Sequence, residues 1–283
     1  MERIVKEIPL DCEIALISDT HIGSKKAHIT GIQRAVDFVK EKPNRFWIHL
    51  GDWIEAITTD DKRYETETTE QPIPELQAKE AISMFLPIKE QGICGLLGNH
   101  ERKLSRTINF GRSICEGLNI PYATESARVL FFKKEKRFFK KKKPLFKFFI
   151  AHGNKVFRSN AKDFIQREAN KKAALKISLQ YKMGDCQLMA VGHAHWLAVV
   201  PPAKLLYLQD TEDGIKHRYL NQDETPEGYI DFDRRWYCCT GSFYKLFIDG
   251  ISGYNEPFDP NDLGFLVVKI EAGKIVDVKE IIV

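Results

Sequence analysis

Three short apolar segments in the first hundred residues, separated by stretches with helical spacing, constrain this chain more than any other feature. Glu13-Ile-Ala-Leu-Ile-Ser18, Arg45-Phe-Trp-Ile-His-Leu50 and Gly92-Ile-Cys-Gly-Leu-Leu97 read as buried strands. Between the first two, Ile32, Val36 and Val39 keep i, i+4, i+7 spacing, and Pro43-Asn44 ends that helix. Pro74 to Glu90 reads as a second helix. This βαβα order predicts an α/β fold with a parallel sheet and helices packed on it.

The second half is richer in strands. Val129–Phe132 and Leu145–Ile150 predict a hairpin whose long tip, 133–143, carries eight Lys/Arg and one Glu. That tip sums to +7 in a chain of net charge +4, so the rest stands at −3 and the protein is not basic throughout. Ala161, Ile165, Ala169, Ala173, Ile177 and Tyr181 recur every four residues, predicting one helix over 159–182 with these residues as its packed face. Further strands are expected at 187–191, 235–240, 264–270 and 274–283. The stretches 58–74, 133–143 and 201–235 read as loop insertions, the last with an acidic run at 210–233 that could be a lid or an oligomer contact. No Pro/Gly/Ser-rich linker divides the 283 residues, so one domain over 1–283 is expected. With 43% apolar and 29% charged residues, a disordered or fibrous chain is excluded. No apolar run approaches the ~18 residues of a membrane span, and the first residues show no apolar leader or small-residue cleavage site. The six cysteines form no Cys-x-x-Cys pair and read as reduced core residues, so a cytoplasmic protein is expected.

Several of these strands run into polar residues that a core cannot use. The first leads into Asp19-Thr20-His21, the second into Gly51-Asp52, the third into Gly98-Asn99-His100-Glu101. Later, Ile150-Ala151 leads into His152, and Val191-Gly192 into His193-Ala194-His195. In open α/β sheets, ligands sit at the carboxyl ends of strands. Alone, each block has a bland reading: Asp-x-His and Gly-Asp are common turns, and His152 could be a hydrogen-bonded core residue. Asn followed by His at a strand end has little packing rationale, and two imidazoles at i and i+2 on extended chain face one side. Five of the eight histidines fall in these blocks; His28, His49 and His217 do not. Two Asp, one Asn and four His, with no thiolate, suit divalent Mn, Fe, Zn, Ni or Co. Seven donors exceed one tetrahedral ion and complement two ions sharing a carboxylate.

The ordered series Asp19-x-His21, Gly51-Asp52, Gly98-Asn99-His100-Glu101, His152 and Gly192-His193-x-His195 resembles the calcineurin-like metallophosphoesterase superfamily. The resemblance implies a four-layer α/β/β/α sandwich, two facing sheets covered by helices, with a dinuclear centre at the strand ends. It implies that Asp19, His21 and His195 hold one divalent ion, that Asn99, His152 and His193 hold the other, and that Asp52 bridges them. Manganese is the first choice of metal, with Fe, Zn, Ni or Co as alternatives. His100 matches the histidine that aids leaving-group departure. A water bridging the ions would then attack phosphorus in line. Glu101 could orient His100 or start the following helix, where an acidic residue suits the dipole.

Departures from subfamily patterns bear on substrate. Asp52 leads into Trp53-Ile54-Glu55-Ala56 rather than Asp-Arg-Gly, which argues against the protein Ser/Thr phosphatases. Asn154, rather than a second histidine, follows His152-Gly153. The expected function is metal-dependent hydrolysis of phosphodiesters of nucleotide or nucleic-acid type. The alternatives are a phosphomonoesterase acting on a small metabolite and a scaffold subunit that has lost catalysis. Lys133, Lys134, Lys136, Arg137 and Lys140–Lys143 around Phe138-Phe139 are the main pointer to nucleic acid, against the plain reading of a solvated tip. Trp53 and Trp196, beside Asp52 and His195, could wall a cleft or pack in the core. No membrane partner is expected, and the sequence leaves the oligomeric state open.

Overall fold

The computed structural model describes residues 1–134, 143–219, 228–251 and 260–283. In chain order its strands are β1 (Glu2–Ile8), β2 (Cys12–Ile17), β3 (Arg45–His49), β4 (Gly92–Gly95), β5 (Ser126–Lys133), β6 (Phe146–Ala151), β7 (Leu188–Val191), β8 (Leu197–Val200), β9 (Leu206–Thr211), β10 (Gly214–Tyr219), β11 (Trp236–Thr240), β12 (Gly264–Glu271) and β13 (Lys274–Ile282). The helices are α1 (Ile29–Lys40), α2 (Pro74–Phe85), α3 (Asn99–Leu104), α4 (Phe110–Gly117) and α5 (Phe164–Leu179).

Two sheets face each other. One has the order β13-β12-β2-β3-β4, the other β1-β5-β6-β7-β11-β8, and β9 pairs with β10 as a separate ribbon. β2, β3 and β4 run parallel, as do β6, β7 and β11. Side chains alternate across the strands, so Ile14, Leu16 and Ile48 meet Val129, Phe131, Phe148, Ile150 and Leu188 between the sheets. Ala15, Ile17 and Trp47 point the other way, onto Ile32, Val36, Ala81, Phe85 and Ile114 of the helices. Burial on both faces explains why these strands are continuously apolar. A third cluster joins Leu175 and Leu179 of α5 to Met189, Tyr237 and Cys239 on the outer face of the six-stranded sheet. Helices thus lie outside both sheets, consistent with the four-layer expectation.

Several expectations are corrected. β1 was not foreseen; Ile4 and Ile8 turn inward on the same face as half-buried Lys6, whose Nζ donates to the Gly92 carbonyl at 2.9 Å, while Arg3, Val5 and Glu7 face out. The second helix stops at Phe85, where Leu86-Pro87 opens a 3₁₀ turn through Gln91. The expected hairpin exists, with Val129 opposite Phe148, but its tip over 135–142 lies outside the described residues. So do Lys136, Arg137, Phe138, Phe139 and Lys140–Lys142. β8 falls in a stretch given no element, and the 201–235 segment, expected as a loop insertion, holds the exposed β9–β10 ribbon. All six cysteines are free and buried.

The largest correction concerns α5. Asp163 caps it, its side chain accepting from the Gln166 N–H, and the helix covers Phe164–Leu179 rather than 159–182. The four-residue stripe faces solvent: Ile165 is 77% exposed, Ile177 63% and Tyr181 84%. The sheet is met by Leu175 and Leu179 instead. A strict spacing of four drifts about 40° per step on a 3.6-residue helix, so a long run of it cannot stay on one face. Leu179→Ala is therefore expected to cost about 2–5 kcal/mol in urea unfolding. Ile177→Ala should change stability by about 0.5 kcal/mol or less. Equal losses would put Ile177 back in the core.

Candidate metal centre

The parallel strands deliver the polar blocks to one edge where the two sheets meet. Asp19 and His21 lie just past β2, Asp52 past β3, and Asn99 opens α3 after β4. His152 follows β6, and His193 and His195 follow β7. The turns are sewn together by the backbone: Asp19 N–H donates to the Gly51 carbonyl at 3.0 Å and Thr20 N–H to that of Asp52 at 2.9 Å. The His193 N–H donates to Asp19 Oδ2 at 3.0 Å, joining the two sheets at the site.

The backbone here is unusual. Asp19 (φ +52°), His21 (+45°), Asp52 (+52°), His193 (+63°) and His195 (+49°) all occupy the left-handed region. Such residues are uncommon outside glycine and persist only where surrounding structure holds them. Gly98 permits the closest approach, since a Cβ there would stand 2.0 Å from the Asp52 nitrogen.

Ligand-capable atoms converge in three overlapping groups: Asp19, His21 and His195; His21, Asp52 and His100; and Asp52, His152 and His193. The hydrogen-bond partners of the rings set where the imidazole protons sit. His21 Nδ1 is 2.8 Å from Glu55 Oε2, so Nδ1 donates to the carboxylate and Nε2 is left bare. That bare nitrogen lies 3.3 Å from His195 Nε2, which lies 3.3 Å from Asp19 Oδ1. Asp19 Oδ1 is buried with no hydrogen-bond partner. An orphaned carboxylate oxygen beside a bare imidazole nitrogen is a donor set that fits a cation. At the neighbouring position, His152 Nδ1 donates to the Leu50 carbonyl at 2.8 Å, turning Nε2 toward Asn99 Oδ1 (2.9 Å) and Asp52 Oδ2 (3.3 Å). His193 Nδ1 reaches the same Asn99 oxygen at 2.6 Å. A nitrogen facing two oxygens needs a proton or a metal ion between them.

The pKa pattern agrees. Burial pushes the Asp19 carboxyl upward, but the adjacent His195 imidazole, with the charge of His152, outweighs it and holds it at about 2. Asp52 sits well below the carboxylate range, because His152 and His100 overcome the burial that would raise it. Burial alone would depress His152, yet the charge and hydrogen bond of Asp52, with Asp19, raise it to about 10. In the metal-free protein below pH 10, that imidazole therefore carries the proton a cation would replace. Loading with Mn²⁺ at pH 7 is expected to release a proton from His152, and apparent affinity should tighten as pH rises toward 10. Calorimetry in buffers of different ionisation enthalpy measures this; metal uptake without proton release would remove His152 from the donor set.

All eight residues singled out in the sequence, His100 included, lie in this cluster. His100 is buried, its backbone N–H donates to Asp52 Oδ1 at 2.9 Å, and its Nδ1 is hydrogen-bonded to the Glu55 carbonyl. Glu101 takes the helix-start role: one carboxylate oxygen accepts the Gly98 N–H at 3.0 Å, the other the Ile54 N–H at 2.9 Å. Trp53 is core, stacked on His49 with centroids 3.6 Å apart and donating to the Leu96 carbonyl. Trp196 is half-buried, with Lys171 Nζ 4.5 Å from its ring centre. Sequence reasoning missed Glu55, though an acid inside the apolar run Trp53-Ile54-Glu55-Ala56-Ile57 was a signal. It also missed Ser242, although Thr240-Gly241-Ser242 repeats the pattern of a strand running into polar residues.

A family model described as calcineurin-like phosphoesterase matches residues 13–197. The chain belongs to that family, one of metal-dependent phosphoric ester hydrolases. Among solved structures, it is similar to the calcineurin-like phosphoesterase YfkN of Bacillus subtilis (14% identity, 96% of this chain and 90% of that one, TM-score 0.41). It is also similar to a metallophosphoesterase of Sphaerobacter thermophilus (12%, 92% and 83%, 0.37) and to the nuclease MPE of Pseudomonas putida (12%, 95% and 87%, 0.35). At such scores the family assignment rests on the sequence match. No curated protein matches. No helix among the described residues is long and apolar enough to cross a membrane.

Proposed function

We propose that this protein is a dinuclear metal-dependent phosphodiesterase. Asp19, His21 and His195 hold one ion, Asn99, His152 and His193 the other, and Asp52 lies between them as the bridge. The observation that carries this reading is the orphaned Asp19 Oδ1 beside the bare His21 Nε2, the arrangement of a cation site. Oxygen and imidazole donors without thiolate favour manganese, with Fe, Zn, Ni or Co able to substitute. Two such ions would supply Lewis-acid charge to the phosphate oxygens and to the attacking water. Asp52 keeps the ions' mutual repulsion in check and, through its Oδ1, holds the backbone of His100. His100 hydrogen-bonds through Nδ1 to the Glu55 carbonyl, so the proton it can give to a departing oxygen sits on Nε2. In the metal-free protein burial disfavours the charged ring, but Asp52 and Glu55 together raise its pKa above the ordinary value.

A diester substrate is supported by Lys171 of α5, whose Nζ lies 4.5 Å from the ring centre of Trp196, the neighbour of His195, and suits a further phosphate beside the scissile one. Six buried free thiols accord with a reducing, cytoplasmic setting. Bis-p-nitrophenyl phosphate, p-nitrophenyl phosphate, cyclic nucleotides, and single- and double-stranded DNA assayed with Mn, Ni, Zn and Fe test the reading. The diester should be hydrolysed faster than the monoester. A strong monoester preference would replace this reading with that of a small-molecule phosphatase, and inactivity of fully loaded protein with that of a scaffold.

A further inference from the structure

We infer that Ser242 is a positioning residue for His195: its hydroxyl accepts the Nδ1 proton of that ring and so presents Nε2 bare to the metal centre. The inference rests on the reading of His195 as a ligand. Ser242 lies beyond the 13–197 family match, in the turn after β11, and is completely buried. Among the described residues its Oγ makes three contacts: the Asp19 carbonyl at 3.3 Å, the Tyr244 N–H at 2.9 Å and His195 Nδ1 at 3.3 Å. A hydroxyl has one hydrogen and two lone pairs. A carbonyl can only accept and an N–H can only donate. With the hydrogen on the Asp19 carbonyl, Oγ accepts from Tyr244 and has one lone pair left, directed at His195 Nδ1. Ser242 Oγ is the only hydrogen-bond partner of that nitrogen among the described residues.

The surroundings make the choice of tautomer matter. His195 Nε2 stands 3.3 Å from both His21 Nε2 and Asp19 Oδ1, so a proton on it would occupy the space between the three donor atoms. Glu55 settles the same question for His21, and the Leu50 carbonyl for His152. Ser242 does so for His195. The turn that carries it is itself fixed to the site, because Phe243 N–H donates to the Asp19 carbonyl at 3.0 Å and Thr240 Oγ1 lies 2.7 Å from Ser18 Oγ. One turn therefore aligns both Asp19 and His195. Loss of such an orienting partner weakens metal binding about 10–100-fold.

Zn²⁺ titration of the whole chain and of Ser242→Ala, with ¹H–¹⁵N spectra of the histidine rings in the Zn-loaded proteins, tests this. In the wild type, His195 should carry its proton on Nδ1 and show a metal-shifted Nε2. Ser242→Ala should bind one of the two ions about 10–100-fold more weakly and the other unchanged. Equal affinities in the two proteins, or equal weakening of both ions, would overturn the role. So would a wild-type Nδ1 without its proton, a measurement that stands even should the variant fail to fold. A His195 ring unmoved by zinc while two ions bind would instead overturn the ligand reading itself.

Discussion

Asp52→Asn is expected to lower activity by at least 10²–10³-fold, about the effect of removing one electrostatic stabiliser of a transition state, and to lower metal content with it. Asn is almost the same shape, still offers an oxygen to the His100 N–H, and tolerates the left-handed backbone that Asp52 adopts at φ +52°. What changes is charge. Oδ2 of Asp52 lies 3.3 Å from His152 Nε2 and 3.9 Å from His21 Nε2, reaching the proposed ligands of both ions. Without that negative charge two divalent ions would repel each other with nothing between them. Atomic-emission counting of Mn per chain, beside turnover of the chromogenic diester, measures both effects. Full activity with two bound ions would refute the bridge.

His100→Asn should behave differently. Turnover is expected to fall about 10²–10⁴-fold, the usual range for loss of a positioned acid, while metal content stays near two ions. The loss should be smallest for a p-nitrophenyl leaving group, which departs without help, and largest for an alkyl leaving group that needs a proton. His100 lies within the group formed with His21 and Asp52, so a ligand role is the sharp alternative. Metal loss equal to that of Asp52→Asn would establish it.

How far the sequence reveals this molecule depends on what kind of force places each part. Strands such as Cys12–Ile17 were legible because both faces are buried, leaving an apolar run that few other structures accommodate. β1 was not, because Lys6 shares the inward face with Ile4 and Ile8, and Arg3, Val5 and Glu7 lie on a face that stays wet at the sheet edge. The α5 stripe misled because spacing reports a periodicity and not which side finds a partner. The metal blocks were legible as residue types at strand ends, since little else explains histidine there. The partners that orient them were harder to see. Glu55 acts on His21 from 34 residues away and Ser242 on His195 from 47, contacts that exist only once strands distant in sequence have paired within each sheet.

The left-handed backbone at Asp19, His21, Asp52, His193 and His195 sets stability against function at the same positions. Each such residue burdens the fold by an amount of order 1–3 kcal/mol, a burden that glycine would lift. A library of this chain screened for heat resistance alone, without metal, should drift toward glycine at these five positions and lose the site as it gains melting temperature. Selection that includes metal would hold them. The strained turns are therefore where a designer seeking a hardier version must trade, and where the helices and paired strands elsewhere in the chain offer safer gains.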